Sequence, residues 1–403
     1  MKAAKRIIPG LVRRYAEEAS FLWVLRERAV RSPNHAAEDM ARLEERLEAQ
    51  LDGLRLAGTE GWELVKEELA WKEPGEVFTG AVLAMQSGNP AHWEDVAGSV
   101  AGEAKPARSL IAALGWTPWA RAESLVKTLG ASDAAVMRYA AVGGASVHRQ
   151  WIPGLMASAL RDAEPLVRAR ALKACGESGR LDLLPAVAAA VGDKDEACRF
   201  WASWSSLLLG RQEAKAELFA WAKVPGPFRL RALSLAVRAA SLSEALAWLD
   251  SLGESETRLR MQGLGWVGAA SRVPWLIEQT RKPEMARQAG AALTWITGME
   301  FHPGHLGVLP APDLEEALEE QGLAESADSD WNWPNPARTE AWWKASGSKF
   351  APEKAYLSGQ PKSKDAFLHL VQDGMQCHRL GAALDLGLLK TGAPMPECRS
   401  RAA

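Results

Sequence analysis

The chain has 403 residues, of which 47% are hydrophobic and 24% charged, with 48 basic against 50 acidic side chains and a formal net charge of −2. Such a composition is ordinary for a globular protein, and the length suits two or three domains or one array that grows by repetition. Balanced charge removes the general electrostatic reason for a polyanion to bind, which argues against nucleic acid or an anionic membrane as the main partner. No window approaches the ~18 apolar residues that cross a bilayer.

Residues 8–31 are predicted to form one helix, with Leu11, Tyr15, Leu22, Leu25 and Ala29 at helical spacing and Ser32-Pro33 ending it. Residues 37–57 carry a stripe of Met40, Leu43, Leu47, Leu51 and Leu54 opposite Glu38, Glu44, Glu45 and Arg46, the pattern of an amphipathic helix packed on its neighbours. A third helix over 61–71 ends before Pro74-Gly75, so residues 1–73 read as an N-terminal helical cap. The stretch Met1–Pro9 has basic residues but no apolar core of a secretory leader. The four cysteines Cys175, Cys198, Cys377 and Cys398 show no framework or metal spacing. A cytoplasmic protein with reduced, buried thiols is expected.

Residues 76–103 hold two helical runs that look like an atypical first repeat. From there to about 298 a phrase returns, beginning Ala107-Arg108, Val136-Met137, Val167-Arg168, Cys198-Arg199, Phe228-Arg229, Thr257-Arg258 and Met285-Ala286, at intervals of 29, 31, 31, 30, 29 and 28 residues. Units of this length fit two short helices and their turns, and no period-two alternation is sustained. The expected fold is all-α, a right-handed solenoid whose array spans 74–299.

Columns within the repeat show how it packs. Four residues after each start stands a mostly small side chain, Ile111, Ala140, Ala171, Ala202, Ala232, Met261 and Ala289, on the face that also holds the start. One residue after the start stands arginine, at Arg108, Arg168, Arg199, Arg229 and Arg258, and Asp162 and Asp193 each precede an arginine by six residues. Together with Pro185, this pattern resembles the HEAT repeat family, in its compact form of roughly 30 residues rather than the longer ~40–47 class. The resemblance implies that the aspartates and arginines, Asp162, Arg168, Asp193, Arg199, Arg229 and Arg258, ladder along the stack. The residues three after the start flank the buried stripe on the other side, about 200° around from the arginine column. Arg170, Trp201, Arg231 and Arg260 in that column form the candidate partner-binding strip.

Residues 300–403 change character, with Phe301-His302-Pro303-Gly304-His305, Trp331-Asn332-Trp333-Pro334-Asn335-Pro336 and Trp342-Trp343, then a last helical stretch over 364–390 with Ser363 as its cap. An open array must cover its apolar end, and this Trp/Pro-rich segment is expected to do so. The termini resemble an uncharacterised bacterial HEAT-like family, through Glu17-Glu18-Ala19-Ser20-Phe21-Leu22-Trp23, Gly61-Trp62-Glu63-Leu64, Trp333-Pro334-Asn335-Pro336, Trp342-Trp343 and Tyr356-Leu357-Ser358-Gly359. That family is associated with type VI secretion gene clusters. The resemblance implies an adaptor or immunity-type accessory role, with a secretion-system component or effector as partner, and it offers no catalytic residues.

No nucleophile elbow, phosphate-binding loop or dinucleotide fingerprint occurs, and His302, His305, Cys377 and His378 lack ordinary zinc spacing. Neither a catalytic residue, a cofactor nor a metal is therefore assigned. The reading is a non-enzymatic interaction scaffold. Two alternatives are a DNA-acting protein of the HEAT-like alkylpurine glycosylase type and a lyase-like or chaperone-like holder of a small molecule or client.

Overall fold

The computed structural model describes residues 7–100, 104–310, 313–320, 322, 328 and 331–401. Met1–Arg6 of the leader reading and Ala311-Pro312 lie outside them. The chain divides into two units, one formed by Met1–Val30, Glu38–Leu209 and Thr391–Ala403, the other by Arg31–Ala37 and Gly210–Lys390. Both are all-α stacks of helix pairs, an α-solenoid arrangement. Among the described residues, sheet is confined to two pairs of two-residue strands.

The first unit opens with α1 (Pro9–Ala29), α2 (Ala37–Ala57) and α3 (Thr59–Leu69). The leucine stripe of α2 is wholly buried. The repeats follow as α4 (Pro74–Ser87), α5 (Pro90–Ser99), α6 (Ala104–Trp116), α7 (Trp119–Gly130), α8 (Ala135–Val147), α9 (Pro153–Ala159), α10 (Pro165–Glu177), α11 (Leu184–Ala189) and α12 (Glu196–Leu208). Helices α1, α4, α6, α8, α10 and α12 pack side by side in chain order. Proline starts α1, α4, α5, α9 and α10 because its missing N–H falls where a helix has no acceptor for it.

Close approach of these helices depends on small side chains. Ala140, Ala171 and Ala202 are buried. A Cβ on Gly144 would stand 2.6 Å from Leu114 Cδ1, and one on Gly176 would stand 2.6 Å from Ser205 Oγ. Ser205 in turn donates to the Leu172 carbonyl at 2.7 Å, tying α12 to α10. Ala171→Leu is therefore expected to overpack the joint and cost about 1–3 kcal/mol, read as a lowered thermal midpoint. An unchanged midpoint would show that the helices can move apart without loss.

The second unit continues with α13 (Ala214–Lys223), α14 (Arg229–Ala239), α15 (Leu242–Asp250), α16 (Thr257–Val267), α17 (Val273–Gln279) and α18 (Pro283–Thr297), with α14, α16 and α18 again adjacent in order. Past α18, β1 (Gly307–Val308) pairs with β2 (Trp333–Pro334), after the short α19 (Leu314–Glu320). The Arg287 guanidinium of α18 lies 5.1 Å from the Trp333 ring. After α20 (Pro336–Ser346), β3 (Tyr356–Leu357) and β4 (Gln360–Pro361) form a hairpin. Its turn residues Ser358 and Gly359 both have positive φ, 52° and 78°, as a type I′ turn requires. This hairpin seals helix ends: Tyr356 N–H donates to Gly268 O after α16 (2.9 Å), and Ser358 N–H to Trp295 O in α18 (2.8 Å).

The helical stretch expected over 364–390 is two helices, α21 (Lys364–Asp373) and α22 (Gln376–Leu389). Ser363 caps the first, accepting from Ala366 N–H at 3.2 Å. The break at Gly374-Met375 has a partner: Met375 bridges Ala36 in extended conformation, and Gln376 N–H donates to His35 O at 2.7 Å. Among the described residues no helix is long and apolar enough to cross a membrane.

Candidate functional site

The arginine column forms a ladder in the first unit. Arg168 is the fourth residue of α10. It donates Nε and Nη2 to both oxygens of Asp193 (3.1 and 3.0 Å), and Nη1 to the carbonyls of Asp162 and Ala163 in its own preceding turn. Asp162 and Asp193 each also accept from the backbone two residues on, fixing the turn. Both carboxyls are held below their usual range, chiefly by the guanidinium hydrogen bond.

The guanidinium on Asp162 belongs to Arg138, at 2.7 and 2.8 Å. Arg138 is the fourth residue of α8 as Arg168 is of α10, so the alignment that put Met137 in the column was one residue out of register. Arg199 holds the carbonyls of Asp193 and Lys194. In the second unit Arg229 pairs with Glu256 at 2.7 Å, while Arg258 reaches Glu284 O at 2.8 Å and also Asp328.

The strip proposed from the third column is divided between the units, with Arg170 and Trp201 in the first and Arg231 and Arg260 in the second. Arg170 is only 8% exposed, and its Nη1 lies 3.0 Å from Glu177. Trp201 packs edge-on against Trp204 and lies beneath the Lys173 ammonium, 4.9 Å away. Arg231 is exposed and donates to Pro227 O at 3.1 Å. Arg260 holds the carbonyls of Leu249 and Leu252 and lies over Trp275. All four are thus engaged with their own unit's backbone, packing or charges.

A feature the sequence did not announce lies at the C-terminal ends of the first unit's stacked helices. The last residues, from Thr391, run along those ends from α10 back towards α1. Met395 N–H donates to Glu177 O at 2.8 Å. Arg149 donates Nε to Met395 O at 2.7 Å and Nη2 to Pro396 O at 3.4 Å, and pairs with Glu397 at 3.1 Å. Arg26 donates to Arg399 O at 2.8 Å. Arg401 lies over the Trp116 ring at 4.8 Å and donates to Glu48 at 2.7 Å, a carboxylate that Trp116 Nε1 also donates to.

Glu177 anchors this rim. Its carboxylate accepts from Ser146 Oγ at 2.7 Å and pairs with Arg170 and Lys173. Burial alone would raise its pKa, but Lys173, Arg170 and Arg149 outweigh burial and hold it well below the usual carboxylate range.

Residues 152–239 match the family model described as HEAT repeats. This stretch is a HEAT-like array. It covers the Arg168–Asp193 rung and runs from α9 into α14, so the HEAT-like repeats reach both units. No curated protein and no solved structure was found to match the chain.

The second unit holds a buried polar cluster of its own. Arg238 of α14 has a side chain 1% exposed, pairs with Asp385 of α22 at 2.5 Å, and lies 5.1 Å from the Trp295 ring. Lys362 Nζ stands 3.6 Å from the same carboxylate and donates to Trp266 O. His378, weighed above as a zinc ligand, is fully buried edge-on to Trp295, whereas His302 lies at the surface beside Glu300. The four cysteines are buried, and burial pushes the thiols of Cys175, Cys198 and Cys377 up to about 12, which leaves them unreactive.

Proposed function

We propose that the chain is a non-enzymatic scaffold that binds another protein along its helix array, as a cytoplasmic adaptor or immunity-type accessory of a bacterial type VI secretion system. The observation that carries the binding role is the rim of the first unit, where arginine side chains and a helix-end carbonyl hold a non-helical segment mainly by its backbone. A surface that holds one non-helical segment by its backbone is chemically suited to others, and stacked repeats supply such surface in quantity. The secretion context rests on the resemblance of the terminal Trp-Pro, Trp-Trp and Tyr-Leu-Ser-Gly motifs.

Affinity capture of the tagged full chain from its native cells, after mild crosslinking, is expected to recover one protein in near-equal amount, encoded close by. Recovery of nothing beyond what an unrelated helical array captures would sink the reading. The DNA-acting alternative needs free cations on one face. With Arg170 and Arg260 committed internally and a net charge of −2, no retardation of duplex DNA is expected even at low salt.

A further inference from the structure

Resting on that reading, we propose that the rim of the first unit is a peptide-binding groove which the chain's own tail occupies, and which takes the same tail from a second copy of the chain. Two molecules would then exchange residues from Thr391 onward into a closed, symmetric pair.

The repeats themselves show the groove to be specialised. α8 and α10 end alike: one residue past each helix cap the chain turns left-handed, at Arg149 with φ 53° and at Gly179 with φ 63°, and the next amide returns to the carbonyl of Ala145 or Cys175. Glycine adopts that conformation without steric cost, whereas a side chain there is strained. Each choice serves the tail. A Cβ on Gly179 would stand 2.6 Å from Ala393 O, so glycine leaves room for the incoming backbone. Arginine at the equivalent place bears the strain and aims its guanidinium at Met395, Pro396 and Glu397.

The tail is built to be exchangeable. Pro394 and Arg399 are exposed, most other tail residues are half-buried, and Cys398 is the one buried anchor among those described. Its hold is polar: backbone hydrogen bonds, the Glu397–Arg149 pair, and Arg401 on Glu48 and Trp116. The tail begins just after Leu389, the last residue of α22 in the second unit, and Gly392 with φ 83° gives it a point to turn. A segment that completes a unit other than the one it leaves is the topology from which segment exchange arises. A second copy's tail makes the same contacts and competes only through concentration.

The test inserts a protease site between Lys390 and Thr391 of the full chain, cuts it after folding, and dialyses the fragment away. A dye-labelled peptide of residues 391–403 is expected to bind the cut chain and to bind the uncut chain at least 100-fold more weakly. The difference reflects the attached tail, whose effective concentration is of millimolar order. Peptides carrying Glu397→Arg or Arg401→Glu should bind the cut chain at least tenfold more weakly, a readout that leaves the protein unaltered. Arg149→Gly, which suits its backbone conformation, should match that loss. Donor- and acceptor-labelled uncut chains mixed at high concentration should develop energy transfer, and the same chains cut and freed of residues 391–403 should not.

Failure of the peptide to bind, loss of the cut chain's melting transition, or charge-reversed peptides binding unchanged would each overturn the groove. Peptide binding without energy transfer would overturn the second copy as its occupant. None of these results touches the capture experiment, so the scaffold reading stands or falls separately.

Discussion

Glu177→Gln is expected to destabilise the first unit by about 3 kcal/mol or more, a fall of about 6–12 °C in its melting midpoint for a unit of this size. The substitution keeps the shape and removes the charge. Arg170, whose side chain is 9% exposed, then loses the anion that compensates its burial, and Lys173 loses its partner four residues on. Breaking a buried pair costs far more than breaking an exposed one, because the surviving charge cannot regain water. Arg180 and Asp182 provide the contrast within the same repeat: the Asp182 side chain is 58% exposed, and Asp182→Asn should change stability by less than about 1 kcal/mol. The acid limb gives a second measurement. Glu177 is held below the ordinary carboxylate range when folded and titrates normally when unfolded, so its stabilisation is full above about pH 4.5 and is lost as pH falls further. The glutamine variant should lack that part of the acid dependence. Equal losses for Glu177→Gln and Asp182→Asn would refute the argument from burial.

The part of this architecture legible in the sequence is the part made by local spacing. The return of small residues at Ala171 and Ala202 marks the stacked face, and the six-residue step from Asp162 to Arg168 and from Asp193 to Arg199 marks the turn each arginine closes. A one-residue slip at Met137 hid Arg138, because apolar Val136 and Met137 both fit the column and only the helix start shows which is in phase. Side-chain direction around a helix does not reveal whether a partner waits within the fold. Arg170 looked available for a partner, yet Glu177, two turns along the same helix, neutralises it. The break in the last helix and the rim along α8 and α10 were out of reach for another reason. Their partners are far apart in the chain, Met375 with Ala36 and Arg149 with Glu397, and no periodicity records such pairings. One signal was available: set 30 residues apart in equivalent turns, Arg149 and Gly179 differ where glycine is the natural choice.

In the second unit the corresponding prediction concerns Asp385. Its carboxylate is the counter-ion for Arg238 and lies within 3.6 Å of Lys362, so Asp385→Asn leaves two buried cations beside one neutral amide. The expected loss is about 3–5 kcal/mol, measured as earlier unfolding in denaturant. If that loss reflects stranded charge rather than damaged packing, Arg238→Met combined with Asp385→Leu should restore much of it, and the double-mutant cycle should be strongly non-additive. Additive losses would mean that the pair contributes shape rather than charge balance. The pH dependence tests the same environment. Burial, with the nearby Arg238 charge adding to it, pushes His378 down to about 3 against a weak opposing pull from the Thr294 backbone. Burial likewise pushes Lys362 down to about 8, with Asp385 opposing. For His378 the unfolded chain binds the proton first, so stability falls by roughly 1 kcal/mol per pH unit as pH drops below about 6.5. For Lys362 the same sign makes stability rise between about pH 8 and 10.5 as the unfolded lysine sheds its proton. His378→Phe keeps a ring against Trp295 and should flatten the acid limb while leaving the alkaline rise in place. Asp385→Asn should deepen the alkaline rise, because Lys362 loses the carboxylate that favours its charge.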